Sequence, residues 1–392
     1  MSELPFISVI MPVRNEAAFI ETSLGAMLCQ DYPHDRLEVI VVDGMSTDNT
    51  RALINELATN TDIPVRILDN PANTVPPAMN IGIRAATGDL IGRMDGHTEV
   101  QPDYLRKCIE TLHDTGADNV GGVVQYVGQD VFSVAAGLAA QSPFGCGGAP
   151  ARSAKEGPVD TVSFGCWRRE AFERFGYFDE FFTRTQDSEF NYRTRFLGGT
   201  VWMNPDIRTK YFNRASPPQL AKQYFQYGFW KTRLMFKLRA MTRQSTKRPK
   251  NSEPAKVART VPGRVRGMIN TGTEEPRSTK QELRTGNQPV GQLHWRHFIP
   301  PIFVIGMTAS LLAVIYQLAV GSTWLGWIVG LAAPLVYMFA CIAASLAVAS
   351  RNNAWKFIPL LLVIFPILHL SWGAGFLIGL IRQPDKVQLK TP

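Results

Sequence analysis

Asp95, Gly96 and His97 close the apolar run Leu90-Ile91-Gly92-Arg93-Met94 in a three-residue knuckle. Gly96 lets the backbone turn, so a carboxylate and an imidazole leave one strand end close together. Both are ligands for a divalent cation. In open α/β sheets, ligands bind outside the carboxyl ends of the strands. An Asp-x-His at such a point can hold a cation that takes further oxygens from a diphosphate. The same residues also read as an Asp-Gly turn followed by a solvated histidine. Two more acids stand at comparable places. Asp43 follows the apolar run Leu37–Val42, and Asp187 opens the aromatic run Gln186-Asp187-Ser188-Glu189-Phe190. Their structural alternatives are a helix-capping turn for Asp43 and, for Asp187, a helix N-terminal carboxylate favoured by free N–H groups.

The elements that must carry these groups alternate in kind. Phe6–Met11 reads as a buried strand, broken by Pro12-Val13-Arg14-Asn15-Glu16, and 17–30 has helical spacing. Leu37–Val42 is a strand, roughly 48–59 a helix, and Val65–Leu68 a strand. Pro76-Pro77 opens a helix through Ala86 that carries Asn80 and Arg84. Leu90–Met94 is the strand before the knuckle, Pro102 starts a helix, and Asn119–Val124 is a further strand. Such alternation implies an α/β domain with a mostly parallel sheet and right-handed crossovers. Arg14 and Glu16, Asp43, and Asp95 with His97 then share the carboxyl side of three strands, as a nucleotide cleft requires.

Beyond 130 the alternation stops. Residues 142–158 are rich in Gly, Ser and Pro and read as a mobile loop or lid. Asp160–Gly165 reads as a strand, Trp167–Phe175 as a short helix, and Val201–Met203 and Ile207–Phe212 as two strands. Residues 217–239 form a helix with aromatic and basic faces, suited either to a membrane interface or to core packing with solvated cations.

The formal charge of the 392-residue chain is +8. Much of that excess lies in 239–297, directly before an apolar region, and is explained by the positive-inside rule and anionic lipid rather than by a nucleic-acid groove. The five cysteines show no C-x-x-C spacing, which argues against a zinc site or disulfide framework and fits a reducing compartment. The N-terminus lacks the features of a signal peptide. Apolar runs at about 299–320, 324–350 and 355–381 are each long enough to cross a bilayer. The third contains Pro359, Pro366 and His369 and reads as kinked or re-entrant. The expected organisation is a catalytic domain over 1–216, an amphipathic interface helix over 217–241, a basic flexible insertion over 242–297 and a transmembrane region over 298–392.

In order and spacing, the motifs P-V-R-N-E, V-V-D-G-x-S-T-D-x-T, A-x-N-x-G, R-M-D-G-H and Q-D-S-E-F resemble glycosyltransferase family 2, across residues 5–240. S-P-F-G, V-D-T-V-S-F-G-C and Q-Y-F-Q-Y-G-F-W-K resemble its ExoA branch, which also carries C-terminal membrane helices. The resemblance implies a GT-A fold with a mixed, mostly parallel central sheet. It implies nucleotide-sugar contacts for Pro12, Arg14, Glu16, Asp43, Asn80, Arg84 and Asp95. It gives Asp95 and His97 as ligands of Mn²⁺ or Mg²⁺, with His97 departing from the family's usual second Asp. Imidazole is softer than carboxylate, which favours manganese. Asp187 matches the catalytic base, with Gln186 where Glu is usual. Gln226 and Trp230 loosely match an acceptor motif whose Arg is here Phe229, so processive polymerisation is not expected.

The implied activity is inverting transfer from a nucleotide sugar, UDP-linked such as UDP-glucose, to a polyprenyl-diphosphate-linked saccharide in extracellular or envelope polysaccharide synthesis. The implied setting is the inner (plasma) membrane, multi-pass, with the catalytic domain cytoplasmic. A polyprenyl-phosphate glycosyltransferase and a non-catalytic membrane subunit stay open as alternatives. A sugar-nucleotide pyrophosphorylase is disfavoured, because it needs a Gly-rich basic loop where this chain has Pro-Val-Arg-Asn-Glu.

Overall fold

The computed structural model describes residues 4–146, 155–213, 216–247, 298–320 and 323–382. The chain begins with β1 (Ile7–Val13), α1 (Ile20–Leu28), β2 (Leu37–Asp43), α2 (Thr50–Thr59), β3 (Val65–Asp69) and α3 (Val75–Ala85). It continues through β4 (Leu90–Arg93), β5 (Thr98–Val100), α4 (Tyr104–Thr115) and β6 (Asn119–Val127). There follow α5 (Val131–Gln141), α6 (Pro143–Cys146), β7 (Gly157–Pro158), β8 (Cys166–Arg168), α7 (Glu170–Phe175), α8 (Gln186–Phe196) and β9 (Val201–Phe212). Four long helices close it: α9 (Pro217–Lys247), α10 (Ile299–Val320), α11 (Trp324–Asn352) and α12 (Ile358–Ile381).

Among the described residues the strands form one sheet in the order β3-β2-β1-β4-β8-β6-β9-β5, with β7 beside β9. The run β3-β2-β1-β4 is parallel. β8 enters antiparallel between β4 and β6, and β9 returns parallel to β6. β1 and β2 are buried at every residue. Helices cover both faces, which is why these strands are largely apolar, and the buried Ser8 hydroxyl of β1 donates to Glu38 of β2 at 2.5 Å. Pro12 is tolerated inside β1 because β4 pairs only with Ile7–Ile10. Its missing N–H falls beyond the end of that ladder.

Several local expectations are corrected. Residues 160–165 are irregular, and the strand is instead Cys166–Arg168, so the expected helix from Trp167 starts at Glu170. Pairing with β4 and β6 holds those three residues extended. The two expected strands at 201–203 and 207–212 are halves of one bulged strand, β9. The bulge lies opposite Gly122, where an added Cβ would stand 1.8 Å from the Ile207 carbonyl oxygen. The helix α5 was not foreseen. Asp130 caps it by accepting from the Ser133 N–H at 2.9 Å, while Ser133 Oγ accepts from the Asp130 N–H at 3.0 Å.

α9 extends to Lys247, past the expected start of the insertion. The remainder of that insertion and 147–154 of the expected lid lie outside the described residues. α9 packs on both sides, with Leu220 and Tyr224 against α5 and α12, and Leu234 and Leu238 against Phe182 and Tyr192. α9 thus packs against both the catalytic domain and a helix apolar enough to cross a membrane.

Helical segments Ile299–Val320, Gly326–Asn352 and Trp355–Ile381 are long and apolar enough to cross a membrane, with mean hydropathies of 2.0, 2.1 and 2.0. Through Pro366 the last is one continuous helix from Ile358. α12 touches α9 most intimately. A Cβ at Gly375 would lie 2.0 Å from the Phe225 carbonyl oxygen, and one at Gly228 2.0 Å from that of Trp372. Small residues here let two backbones approach, as in membrane helix pairs. Farther along α12, His369 Nε2 donates to the Phe144 carbonyl at 2.8 Å and Nδ1 accepts from the Tyr337 hydroxyl at 2.8 Å.

Candidate active site

The knuckle after β4 is held by its own turn and by α1. Thr98 Oγ1 donates to the Asp95 carbonyl at 2.7 Å, and Ser23 Oγ donates to the Gly96 carbonyl at 2.9 Å. Gly96 sits so close to the loop after β1 that a Cβ would meet Glu16 Cγ and Val13 Cγ1 at 3.0 Å. That closeness brings Glu16 Oε1 within 2.8 Å of His97 Nδ1. With its proton on Nδ1, the neutral imidazole donates to Glu16 and leaves the Nε2 lone pair free. The ring also stands edge-on to Tyr211, with centroids 5.0 Å apart.

The centre of the site is Arg93, the last residue of β4. Its side chain is only 3% exposed. Nε and Nη2 donate to the two carboxylate oxygens of Asp95 at 2.8 and 3.1 Å, and Nη1 donates to Asp187 Oδ1. One planar guanidinium thus grips both acids, a geometry that an ammonium cannot reproduce. Asp187 stands in the first turn of α8, but its carboxylate turns to Arg93 rather than capping the helix. Burial pushes the Asp187 carboxyl above its ordinary range; Arg93 opposes this and Asp95 adds to it. Burial works against the Arg93 charge, yet Asp187 and Asp95 outweigh it and hold its pKa above the usual value.

A second network fixes α8 from behind. Lys237 of α9 donates to Asp179 at 2.6 Å and to Glu189 at 2.7 Å, and Arg193 Nε donates to Glu189 at 2.9 Å. Asp187 is therefore positioned from β4 on one side and α9 on the other.

Asp95, His97, Asp187 and Gln226 line one cavity of about 540 Å³, together with Arg93, Tyr126, Arg184 and Tyr211. A larger hollow of about 760 Å³ beside Pro5, Leu112 and Arg168 contains none of the expected site residues. Gln226 accepts from Arg184 Nε at 3.1 Å. Trp230 is not on the cavity wall; it packs on Phe181 and Phe182.

The expected nucleotide residues divide. Glu16 orients His97. Arg14 is exposed beside Gly44, in a junction where Asn15 N–H donates to Ser46 Oγ at 2.9 Å and Thr47 N–H donates to Asn15 Oδ1 at 2.8 Å. Asp43 is fully buried, accepting from Ser46 Oγ at 2.5 Å and from Arg51 Nη1 at 3.0 Å. Pro12 lies within the sheet. Asn80 and Arg84 stand apart from the cavity that Asp95 and Asp187 line. Asn80 is buried; its amide donates to the Phe178 carbonyl at 3.0 Å and to Glu180 at 2.9 Å and accepts from the Phe178 N–H at 2.9 Å. It anchors the loop that leads to Asp187. Arg84 lies nine residues beyond Val75, the cavity end of α3, and at 1.5 Å per residue stands about 13 Å farther along it. Its guanidinium stacks over Tyr177 at 4.8 Å.

Among the described residues no three His, Cys, Asp or Glu side chains converge on one point. Asp95 and His97 nevertheless fit a cation that draws its other ligands from a diphosphate and water. Were a cation bound at His97, Glu16 would supply the outer carboxylate that orients the imidazole.

Sequence reasoning missed Arg93 and Arg184. The available signal for Arg93 was its alternation with Asp95: residues two apart near a strand end share a face.

The mixed sheet, with Asp95 and His97 at its carboxyl edge, defines a GT-A domain. A solved mannosyltransferase, PcManGT from Pyrobaculum calidifontis in complex with GDP-Man and Mn²⁺, shares this fold with a TM-score of 0.53 at 18% identity, covering 94% of this chain and 88% of that one. The family model for glycosyl transferase family 2 matches residues 8–176. The succinoglycan biosynthesis protein ExoA of Rhizobium meliloti (strain 1021) is 34% identical over 236 residues, 59% of this chain and 71% of that protein. A dolichyl N-acetyl-alpha-D-glucosaminyl phosphate 3-beta-D-2,3-diacetamido-2,3-dideoxy-beta-D-glucuronosyltransferase of Methanococcus voltae is 31% identical over 231 residues, 57% of this chain and 72% of that protein. The chain belongs to glycosyltransferase family 2, and it is a glycosyltransferase.

Proposed function

We propose that the chain transfers a sugar, with inversion, from a UDP-linked donor such as UDP-glucose to a saccharide carried on a polyprenyl diphosphate, in the assembly of an extracellular or envelope polysaccharide. The observation that carries this reading is the Arg93 clamp, which holds Asp95 and Asp187 against one cavity. Asp187 accepts the proton of an acceptor hydroxyl. Its Oδ1 takes the Arg93 hydrogen bond, so Oδ2 is the oxygen left for that proton. The freed acceptor oxygen bonds to the anomeric carbon as the bond to the diphosphate breaks on the opposite face. A single displacement inverts the centre. Asp95 and His97 would hold Mn²⁺ or Mg²⁺, whose charge stabilises the departing diphosphate.

The acceptor and the setting rest on two supports. The apolar helices stand on the catalytic domain through α9 and α12, which favours a lipid-borne acceptor at the cytoplasmic face of the plasma membrane. The name of one relative specifies a dolichyl phosphate sugar, which favours a lipid-borne acceptor, and that of the other specifies succinoglycan biosynthesis, which favours a polysaccharide product. In this reading α9 belongs with the catalytic domain, and the transmembrane region begins near 298.

The test is purified full-length Asp187→Asn with manganese, a panel of UDP-sugars and lipid-linked mono- and disaccharides. Turnover drops by about 10²–10⁴, while nucleotide affinity by calorimetry stays at the wild-type value. Unchanged turnover removes Asp187 from the role of base.

A further inference from the structure

The acids in the cavity are already matched by Arg93, but its rim carries two cations that are not. Arg184 and Lys222 both line the cavity, both are exposed, and neither has an acidic partner among the described residues. Lys222 and Gln226 are four residues apart on α9, so they share one face with Cβ atoms about 5–6 Å apart. Gln226 in turn holds Arg184 at 3.1 Å. Arg184, from the loop before α8, and Lys222, from α9, are thus linked through Gln226 on the wall of the cavity that Asp187 also lines.

The opposite face of α9 gives this pair its meaning. Leu220 and Tyr224, the neighbours of Lys222, are buried with residues of the apolar helix α12. The part of the rim that bears Lys222 is thus backed by a membrane-type helix.

We propose that Arg184 and Lys222 bind the phosphate groups of the acceptor's lipid carrier. The proposal rests on the lipid-linked acceptor reading and adds where the carrier is held. Two cations on the wall of one cavity suit a diphosphate, and the cavity they share with Asp187 sets how much saccharide fits between the carrier and the reacting hydroxyl. Exposed cations gain only modestly from one charge, so a doubly charged group that meets both is the chemistry that makes the pair effective.

The experiment measures binding to the full-length protein in detergent by tryptophan fluorescence, with UDP and manganese saturating so that the donor site is filled. The probes are farnesyl diphosphate and farnesol. The wild type binds farnesyl diphosphate in preference to farnesol. Arg184→Ala/Lys222→Ala weakens farnesyl diphosphate by about tenfold, leaves farnesol unchanged and leaves UDP affinity unchanged. The charge-retaining Arg184→Lys/Lys222→Arg variant binds nearly as the wild type does, which separates charge from folding. Equal binding by wild type and the alanine variant overturns the proposal, as does a wild type that does not prefer the diphosphate. A parallel loss of UDP affinity overturns it in favour of a donor site. None of these results touches the transfer reaction itself, which the Asp187→Asn assay decides separately.

Discussion

Replacing Arg93 tests the site at the point where most depends on one side chain. Arg93→Met keeps the bulk but removes the charge, leaving Asp95 and Asp187, 15% and 24% exposed, without their shared cation. Removing one partner of a buried ion pair costs about 3–5 kcal/mol. The acids here keep some contact with water, and Asp187 is already pushed toward its neutral form, so the low end of about 3 kcal/mol applies. For a domain of this size each kcal/mol is worth about 2–4 °C, which places the fall in melting temperature near 6–12 °C. Arg93→Lys separates positioning from charge. An ammonium cannot span the contacts at 2.8 and 3.1 Å to Asp95 together with that to Asp187. Its stability loss is small, about 1 kcal/mol, but displacing the base by about 1 Å costs on the order of 10²-fold in turnover. Melting followed by tryptophan fluorescence, and turnover measured beside Asp187→Asn as the floor, read the two effects. An Arg93→Lys enzyme at wild-type turnover, or an Arg93→Met enzyme that melts with the wild type, would refute the clamp.

The remaining expectations concern the same framework. Asp187 works as a base only when ionised, so turnover is full above its pKa and lost as pH falls through it. Because burial raises that pKa above 3.8, the acid limb of the pH–turnover profile lies higher than an ordinary aspartate's, and a limb at or below that value contradicts the burial argument. Asn80→Ala removes three hydrogen bonds to the loop at 178–180, costing about 1–3 kcal/mol, and lowers turnover while nucleotide affinity holds. A selective loss of nucleotide affinity in calorimetry would return Asn80 to the nucleotide site. Gly375→Leu forces side-chain atoms into the contact with the Phe225 carbonyl, where even a Cβ would sit at 2.0 Å, and costs about 1–3 kcal/mol. Turnover falls with it, because α9 carries Gln226 and Lys222; unaltered turnover would mean that α12 does not brace the site.

What could be read in advance follows from how far apart the determining residues lie. β1, β2 and β4 are buried on both faces, so each is a largely apolar run whose polar terminus marks the cleft, and Asp43, Asp95 and His97 stood out for that reason. β8 has only three residues, and its extended form is imposed by β4 and β6, which no local pattern announces. A helix with apolar and basic faces looks the same whether it lies on a bilayer or between two protein layers. What α9 packs against is α12, more than a hundred residues later, and that contact is invisible in its own stretch of sequence. Side-chain roles obey the same limit. Asn80 and Arg84 sit where a base-closing segment is expected, yet the partner of one is the loop at 178–180 and that of the other is Tyr177. Arg93 is the sharpest case. Within its own strand it is a lone cation in an apolar run, a poor candidate for a buried position. It becomes the centre of the site only when the fold brings up Asp187, ninety-four residues away, to share its guanidinium with Asp95.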